Sequence, residues 1–137
     1  MGRRLILDTN VLVAYERGSV DPTVFDDDDL AIAAITVAEY RVGIELADSD
    51  ERASARERAL AEIVEAVEVL EYTAATAVFH ARLIASSLRS GQVRGRHDLV
   101  IASHAAQTGR LLVGFDAEAR FGGLPGVTSM GVLAPGG

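Results

Sequence analysis

The sequence predicts an α/β fold, a three-layer α/β/α arrangement in which helices cover both faces of a mainly parallel central sheet. Short apolar runs of strand length recur at residues 5–7, 30–35 and 111–114. Segments of helical period separate them, as expected where parallel strands are joined by helical crossovers. With 137 residues the chain suits one domain, 1–137, that buries about two-thirds of its unfolded surface.

Leu5, Ile6 and Leu7 read as a buried first strand that delivers Asp8 at its carboxyl end. Residues 11–15 continue as a short helix, which Gly18 and Pro22 terminate. Residues 30–35 form the second strand and 36–47 a helix, with Glu39, Val42, Gly43 and Leu46 at i, i+3, i+4 and i+7 as its inward stripe. Between 49 and 66, charges such as Glu51, Arg52, Glu62 and Glu65 alternate with Leu60, Ile63 and Val64. That pattern is an amphipathic helix facing solvent.

Residues 67–72 alternate Val67 and Val69 with Glu68 and Glu71, a third strand. Thr73 starts the next helix, which runs to 89. Its apolar residues Val78, Phe79, Leu83, Ile84 and Leu88 spread beyond one stripe, which predicts packing on two sides, with a second subunit as the outer partner. Residues 90–96 are a flexible basic loop. Helical signals resume at Asp98 with Ile101, Ala102 and Ala105 inward, and Gly109 fits the terminating position. Residues 111–114 make a short buried strand, followed by Asp116. In the glycine- and proline-rich tail, 127–132 adds an edge strand before Pro135 stops pairing.

Composition excludes several functions. No run approaches the roughly 18 apolar residues of a membrane span, and the opening apolar stretch is too short for a signal peptide. The expectation is a soluble, cytoplasmic protein. The absence of cysteine excludes disulfides, thiolate metal ligands and a cysteine nucleophile. All 13 basic residues are arginine, so lysine-dependent chemistry such as the P-loop, Schiff bases or the lysine of phospho-aspartate receivers is excluded. A net charge of −7 argues against a nucleic-acid partner. Yet Asp26, Asp27, Asp28 and Asp29 form one run that reads as a solvated loop. With those and the four acids described next set aside, −7 becomes +1.

Asp8 follows the first strand, Glu39 the second, Asp98 opens a helix and Asp116 follows the last central strand. Taken singly, each fits helix capping: Asp8, Asp98 and Asp116 as N-caps, and Glu39 in a capping box with Thr36. Taken together they gather at one edge, because all carboxyl ends of a parallel sheet lie on the same side. Two carboxylates 4 Å apart repel by about 4 kcal/mol at an effective dielectric near 20, so such a cluster calls for a cation. Neutralising one of its members is therefore expected to leave the fold intact. Oxygen ligands select Mg²⁺ or Mn²⁺, and such an ion suits phosphodiester hydrolysis. Arg94, Arg96 and Arg41 lie near these acids in sequence and suit RNA phosphates, although each also fits an ordinary surface arginine. Thr9 and Asn10 fit support of Asp8, or plain turn chemistry. His97 and His104 are weaker acid–base candidates, and His80 and His104 fit packing as well.

The motifs in this order resemble those of PIN-domain ribonucleases, and within them the VapC-type toxins of toxin–antitoxin pairs. Leu7-Asp8-Thr9-Asn10-Val11-Leu12 is similar to the opening motif and Glu39 with Gly43 to the second. His97-Asp98-Leu99-Val100-Ile101-Ala102 is similar to the third, and residues 111–116 with Phe121 and Pro125-Gly126-Val127 to the fourth and its closing strand. The resemblance implies a dimeric, Mg²⁺- or Mn²⁺-dependent endoribonuclease whose cognate antitoxin blocks the acidic groove. It also implies Asp8, Glu39 and Asp98 as main metal ligands, with Asp116 as the less critical fourth. Two departures stand out: Gly114 where the family usually has Thr or Ser, and Arg120 before Phe121 where it often has Asp or His, with about one extra residue. They bear on a second metal site rather than the first. A housekeeping RNA-processing nuclease of the same fold is the alternative; a phospho-aspartate protein lacks its lysine, and a binding module whose acids are only caps is the blandest competitor.

Overall fold

β1 occupies the middle of the sheet, and its neighbours decide where every loop of interest falls. In the computed structural model, which describes residues 2–132, five strands form one sheet in the order β3-β2-β1-β4-β5. They are β1 (Arg4–Leu7), β2 (Asp29–Ala33), β3 (Glu68–Leu70), β4 (Leu111–Gly114) and β5 (Ser129–Gly131). Every neighbouring pair is parallel. The helices are α1 (Thr9–Glu16), α2 (Ala34–Glu45), α3 (Asp50–Ala66), α4 (Ala74–Ser90), α5 (Arg96–Thr108) and α6 (Ala117–Phe121). A 3-10 turn at Pro22–Phe25 links α1 to β2.

The pleat of β1 divides the core in two. Leu5 and Leu7 pack with Val11, Leu12, Ile32, Tyr40, Ile44 and Leu60 on one face, whereas Ile6 packs with Leu83, Ile101, Leu112 and Phe121 on the other. Burying each such side chain contributes about 2 kcal/mol. The α/β/α layering expected from the sequence is therefore the observed one, with a sheet that is parallel throughout its described strands. Among the described residues no helix is long and apolar enough to cross a membrane.

Several boundaries differ from expectation for physical reasons. β2 ends at Ala33 and α2 begins at Ala34, so Ala34 and Ile35 are helical rather than extended. An apolar run at the exit of a buried strand carries no period that separates the two states. The inward stripe of α2 is Thr36, Tyr40 and Ile44, and Val42 and Leu46 are exposed. The larger apolar Tyr40 and Ile44 take the core-facing positions, leaving Glu39 on the flank. β3 pairs over Glu68–Leu70 alone, because an edge strand is as long as its register with β2 allows. α5 starts at Arg96 and is the helix covered on two sides, with Leu99 and Ile101–Ala105 buried. α4 is the outer layer: within this chain Val78, Ile84 and Leu88 stay exposed. Thr73 and Thr76 do form the expected start of α4, as a reciprocal capping box. The stop at Pro135 lies outside the described residues.

The amino-terminal edge of the sheet is tied by one side chain. Arg110 is 3% exposed and donates to the carbonyls of Leu5 and Asp29, both at 3.1 Å, and to the carboxylates of Asp29 at 3.3 Å and Glu68 at 3.0 Å. From the start of β4 it thus reaches β1, β2 and β3. Arg110→Ala should lower stability by about 3 kcal/mol, read as a fall in the denaturation midpoint, because it removes buried packing together with charged hydrogen bonds.

His104 is buried in α5 beside Tyr72 and His80, and its Nε2 has no hydrogen-bond partner among the described residues. Burial, reinforced by His80, pushes its pKa below the usual 6.5. The unfolded chain then takes up a proton that the folded one refuses. Stability from His104 is complete above about pH 6.5 and falls as the pH drops below that value. Chemical denaturation between pH 7.5 and 5 should show this slope, and His104→Gln should reduce it.

Candidate metal centre at the carboxyl edge

The chain leaves β1 towards β2 on one side and returns through β4 on the other, so the carboxyl ends of β1 and β4 flank the point where strand order reverses. Open α/β sheets place their binding crevices there. Asp8 is the first residue past β1. Its N–H donates to Val113 O at 2.9 Å, which continues the ladder into the crevice, and the residue is 2% exposed. Although Asp8 sits at the N-cap position of α1, its side chain makes no capping bond. The carboxylate is committed elsewhere.

Its partner is Arg120, the penultimate residue of α6. Arg120 Nη1 lies 2.5 Å from Asp8 Oδ2, and Nη2 lies 3.3 Å from Asp8 Oδ1. The same guanidinium reaches Asp98, with Nε 3.1 Å from Oδ2 and Nη2 against Oδ1. Asp98 is the third residue of α5 rather than its cap, which is Gly95. The hydrogen bond to Asp98 raises the pKa of Arg120 above its ordinary value, with Asp8 adding to the shift against the opposing effect of burial. Arg120 is therefore a permanent cation between the two aspartates. The sequence marked it as a departure from the family pattern without indicating where its side chain goes.

Glu39 enters from the flank of α2. Its Oε1 accepts from Thr9 Oγ1 at 2.8 Å, and its Oε2 lies 3.1 Å from His97 Nδ1. The capping box with Thr36 is not made: Thr36 lies inside α2, fully buried, 3.2 Å from Thr9 Oγ1. Thr9 and His97 adjoin Asp8 and Asp98 in sequence, so Glu39 is bonded to the residues next to both aspartates. Asp116 sits at the N-cap position of α6 in the left-handed conformation, φ 52°, makes no side-chain capping bond and is exposed. No hydrogen bond or ion pair found among the described residues joins it to the other three acids.

The remaining candidates are placed as follows. Asn10 is exposed in the first turn of α1. Arg41 pairs with Glu57 of α3 at 3.0 Å on the outer surface, and Arg96 is exposed at the start of α5. Arg94 is turned inward: it donates to Arg120 O at 2.5 Å and Gly122 O at 2.6 Å, tying the loop before α5 to the end of α6.

A divalent ion fits the chemistry of this donor set, since Asp8, Asp98 and Glu39 offer hard oxygens and the place between the two aspartates already holds positive charge. Among the described residues, however, no three His, Asp or Glu side chains stand in a metal-holding arrangement. The guanidinium fills the space they would have to share.

Comparison with known proteins agrees with this architecture. The PIN-domain family model matches residues 5–121. No curated protein matches the chain. Among solved structures the chain is similar to one in VapBC-5 from Mycobacterium tuberculosis, a member of the VapBC family of toxin–antitoxin systems. The identity is 29% and the TM-score 0.77, over 94% of this chain and 98% of that one. DNA-bound VapBC from Salmonella typhimurium aligns at 24% identity and TM-score 0.83, covering 96% and 98%. VapBC2 from Rickettsia felis, bound to a promoter fragment, aligns at 20% and 0.83, covering 95% and 99%. The last two show likeness of fold.

Asp8 is paired with a guanidinium rather than crowded by other acids, so its neutralisation bears on stability even where the fold stays intact. In metal-free buffer Asp8→Asn should cost about 1–3 kcal/mol, since a three-quarters-buried Arg120 then keeps only one of its two carboxylates. Thermal unfolding in EDTA checks it, and the loss should shrink in an Arg120→Gln background.

Proposed function

The chain belongs to the PIN-domain family, and from that premise we propose that it is a metal-dependent endoribonuclease, a toxin of the VapC type that cuts a structured cellular RNA such as tRNA or rRNA and is restrained by a cognate antitoxin. The observation that carries the proposal is that Asp8 and Asp98, from separate segments, share one guanidinium at the carboxyl edge, while Glu39 bonds to Thr9 and His97, their neighbours in sequence. A sheet edge with only capping acids has no reason to bury one of them at 2% exposure.

In this reading Asp8 and Asp98 hold Mg²⁺ or Mn²⁺, with Glu39 as the third ligand and Asp116 contributing least. The ion, when bound, supplies phosphate alignment, activation of the attacking water and neutralisation of charge on the leaving oxygen. Thr9 fixes one oxygen of Glu39, and His97 faces the other. That leaves the carboxylate oriented from both sides. Arg96, exposed beside His97 and Asp98, is the candidate for gripping the RNA backbone; Arg41 and Arg94 are engaged with Glu57 and with α6.

The solved relatives are VapBC complexes, which supports an antitoxin partner. Glu39 borders a groove of about 340 Å³ that Val13, Arg17, Tyr40 and Arg56 also line, beside the acids such a partner would cover. The exposed Val78, Ile84 and Leu88 on α4 support a homodimer. The whole chain then acts as a single nuclease domain in the cytoplasm.

Purified protein incubated with total RNA and Mn²⁺ or Mg²⁺ should release discrete fragments, and EDTA should stop it. Asp98→Asn should cut at least about 100-fold more slowly. Equal cleavage by wild type and variant, or cleavage that survives EDTA, rejects the assignment.

A further inference from the structure

We propose that Arg120 is a resident counter-ion of the acidic site that a divalent ion must displace, so that this side chain sets the metal concentration at which the site fills. The inference rests on the metal-dependent reading above and concerns a residue outside the expected ligand set.

Arg120 contacts both oxygens of Asp8 and both oxygens of Asp98. An ion held jointly by Asp8 and Asp98, at about 2.0–2.1 Å from each, needs the space between them that the guanidinium fills. It would also face a fixed positive charge at close range. The two occupants therefore exclude one another. A guanidinium does not deprotonate in a protein. Only competition removes it.

The surroundings allow the side chain to leave without unfolding the chain. The backbone of Arg120 is pinned through Arg94, and the adjacent Phe121 is 1% exposed in the core. The Arg120 side chain is a quarter exposed, so its way out is to solvent. It also lies 4.8 Å over the Phe121 ring, a face that favours a cation.

Two departures from the family pattern lie near one another. A Cβ added to Gly114 would stand 3.3 Å from Phe121 Cε2 and 3.6 Å from Asp8 Cβ. Position 114 thus lies against both Asp8 and Phe121, the neighbour of Arg120.

Mn²⁺ binding to the purified full chain, by calorimetry and by electron paramagnetic resonance of the free ion, tests the proposal. Arg120→Gln should bind Mn²⁺ at least ten-fold more tightly than wild type and should gain more in melting temperature from the same Mn²⁺ concentration. Arg120→Lys, which keeps the charge but loses the bidentate fork, should fall between them and serves if the glutamine variant does not fold. Equal or weaker Mn²⁺ binding by the variants overturns the role of Arg120 and leaves the metal site standing. If no form binds Mn²⁺ at millimolar concentration, the metal-dependent reading falls as well.

Discussion

The molecule depends on β1 being parallel-paired on both sides. Flanked by β2 and β4, this strand has no solvent-facing edge, and its three apolar residues are buried on both faces. The chain can therefore emerge only at the carboxyl end, in the crevice where strand order reverses. Asp8 is carried there with its N–H still held by β4. A carboxylate so fixed cannot turn to water. An uncompensated charge at that depth costs several kcal/mol, so the fold must bring a cation to it. Arg120 at the close of α6 meets that need.

Arginine serves the opposite end of the sheet differently. Arg110 is nearly inaccessible while its carboxylate partners are more than half exposed; at Arg120 the relation is reversed, with a partly exposed cation on a buried acid. The first arrangement gains from staying shut, because opening it would strand a buried charge among strand carbonyls. The second can exchange partners, because the group that moves is the one already touching water. One residue type thus provides a rivet at one end and a removable plug at the other, and the difference lies in which member of the ion pair the packing buries.

The layering and the parallel sheet were legible because strand-length apolar runs and helical periods alternate cleanly along the chain. That the segments carrying Asp8, Glu39 and Asp98 reach one sheet edge was legible for a topological reason that needs no side-chain detail. What escaped the sequence depended on directions within helices. Glu39 was assigned to the inward stripe of α2, whereas Tyr40 and Ile44 outcompete it there and it works from the flank. Arg94 read as a free basic residue, yet it turns back to carbonyls 26 and 28 positions away. No periodicity records a side chain of that length folding towards a distant backbone. Arg120 carried a visible signal, a basic residue where the family often has an acid or histidine. Its meaning required knowing that α6 ends above Asp8.

The hold of Arg94 on α6 bears on how this protein can change over time. Five residues are too few for a helix to persist unaided, so α6 takes its definition from Phe121 in the core and from two carbonyls grasped by the loop before α5. Surface loops of this composition ordinarily tolerate insertion and drift. Here a lengthened or reordered loop would loosen the helix that aims Arg120, and the disturbance would surface at Asp8, on another element entirely. Among the connecting segments, the stretch that looks the most dispensable in sequence is held to its length by a site it does not belong to.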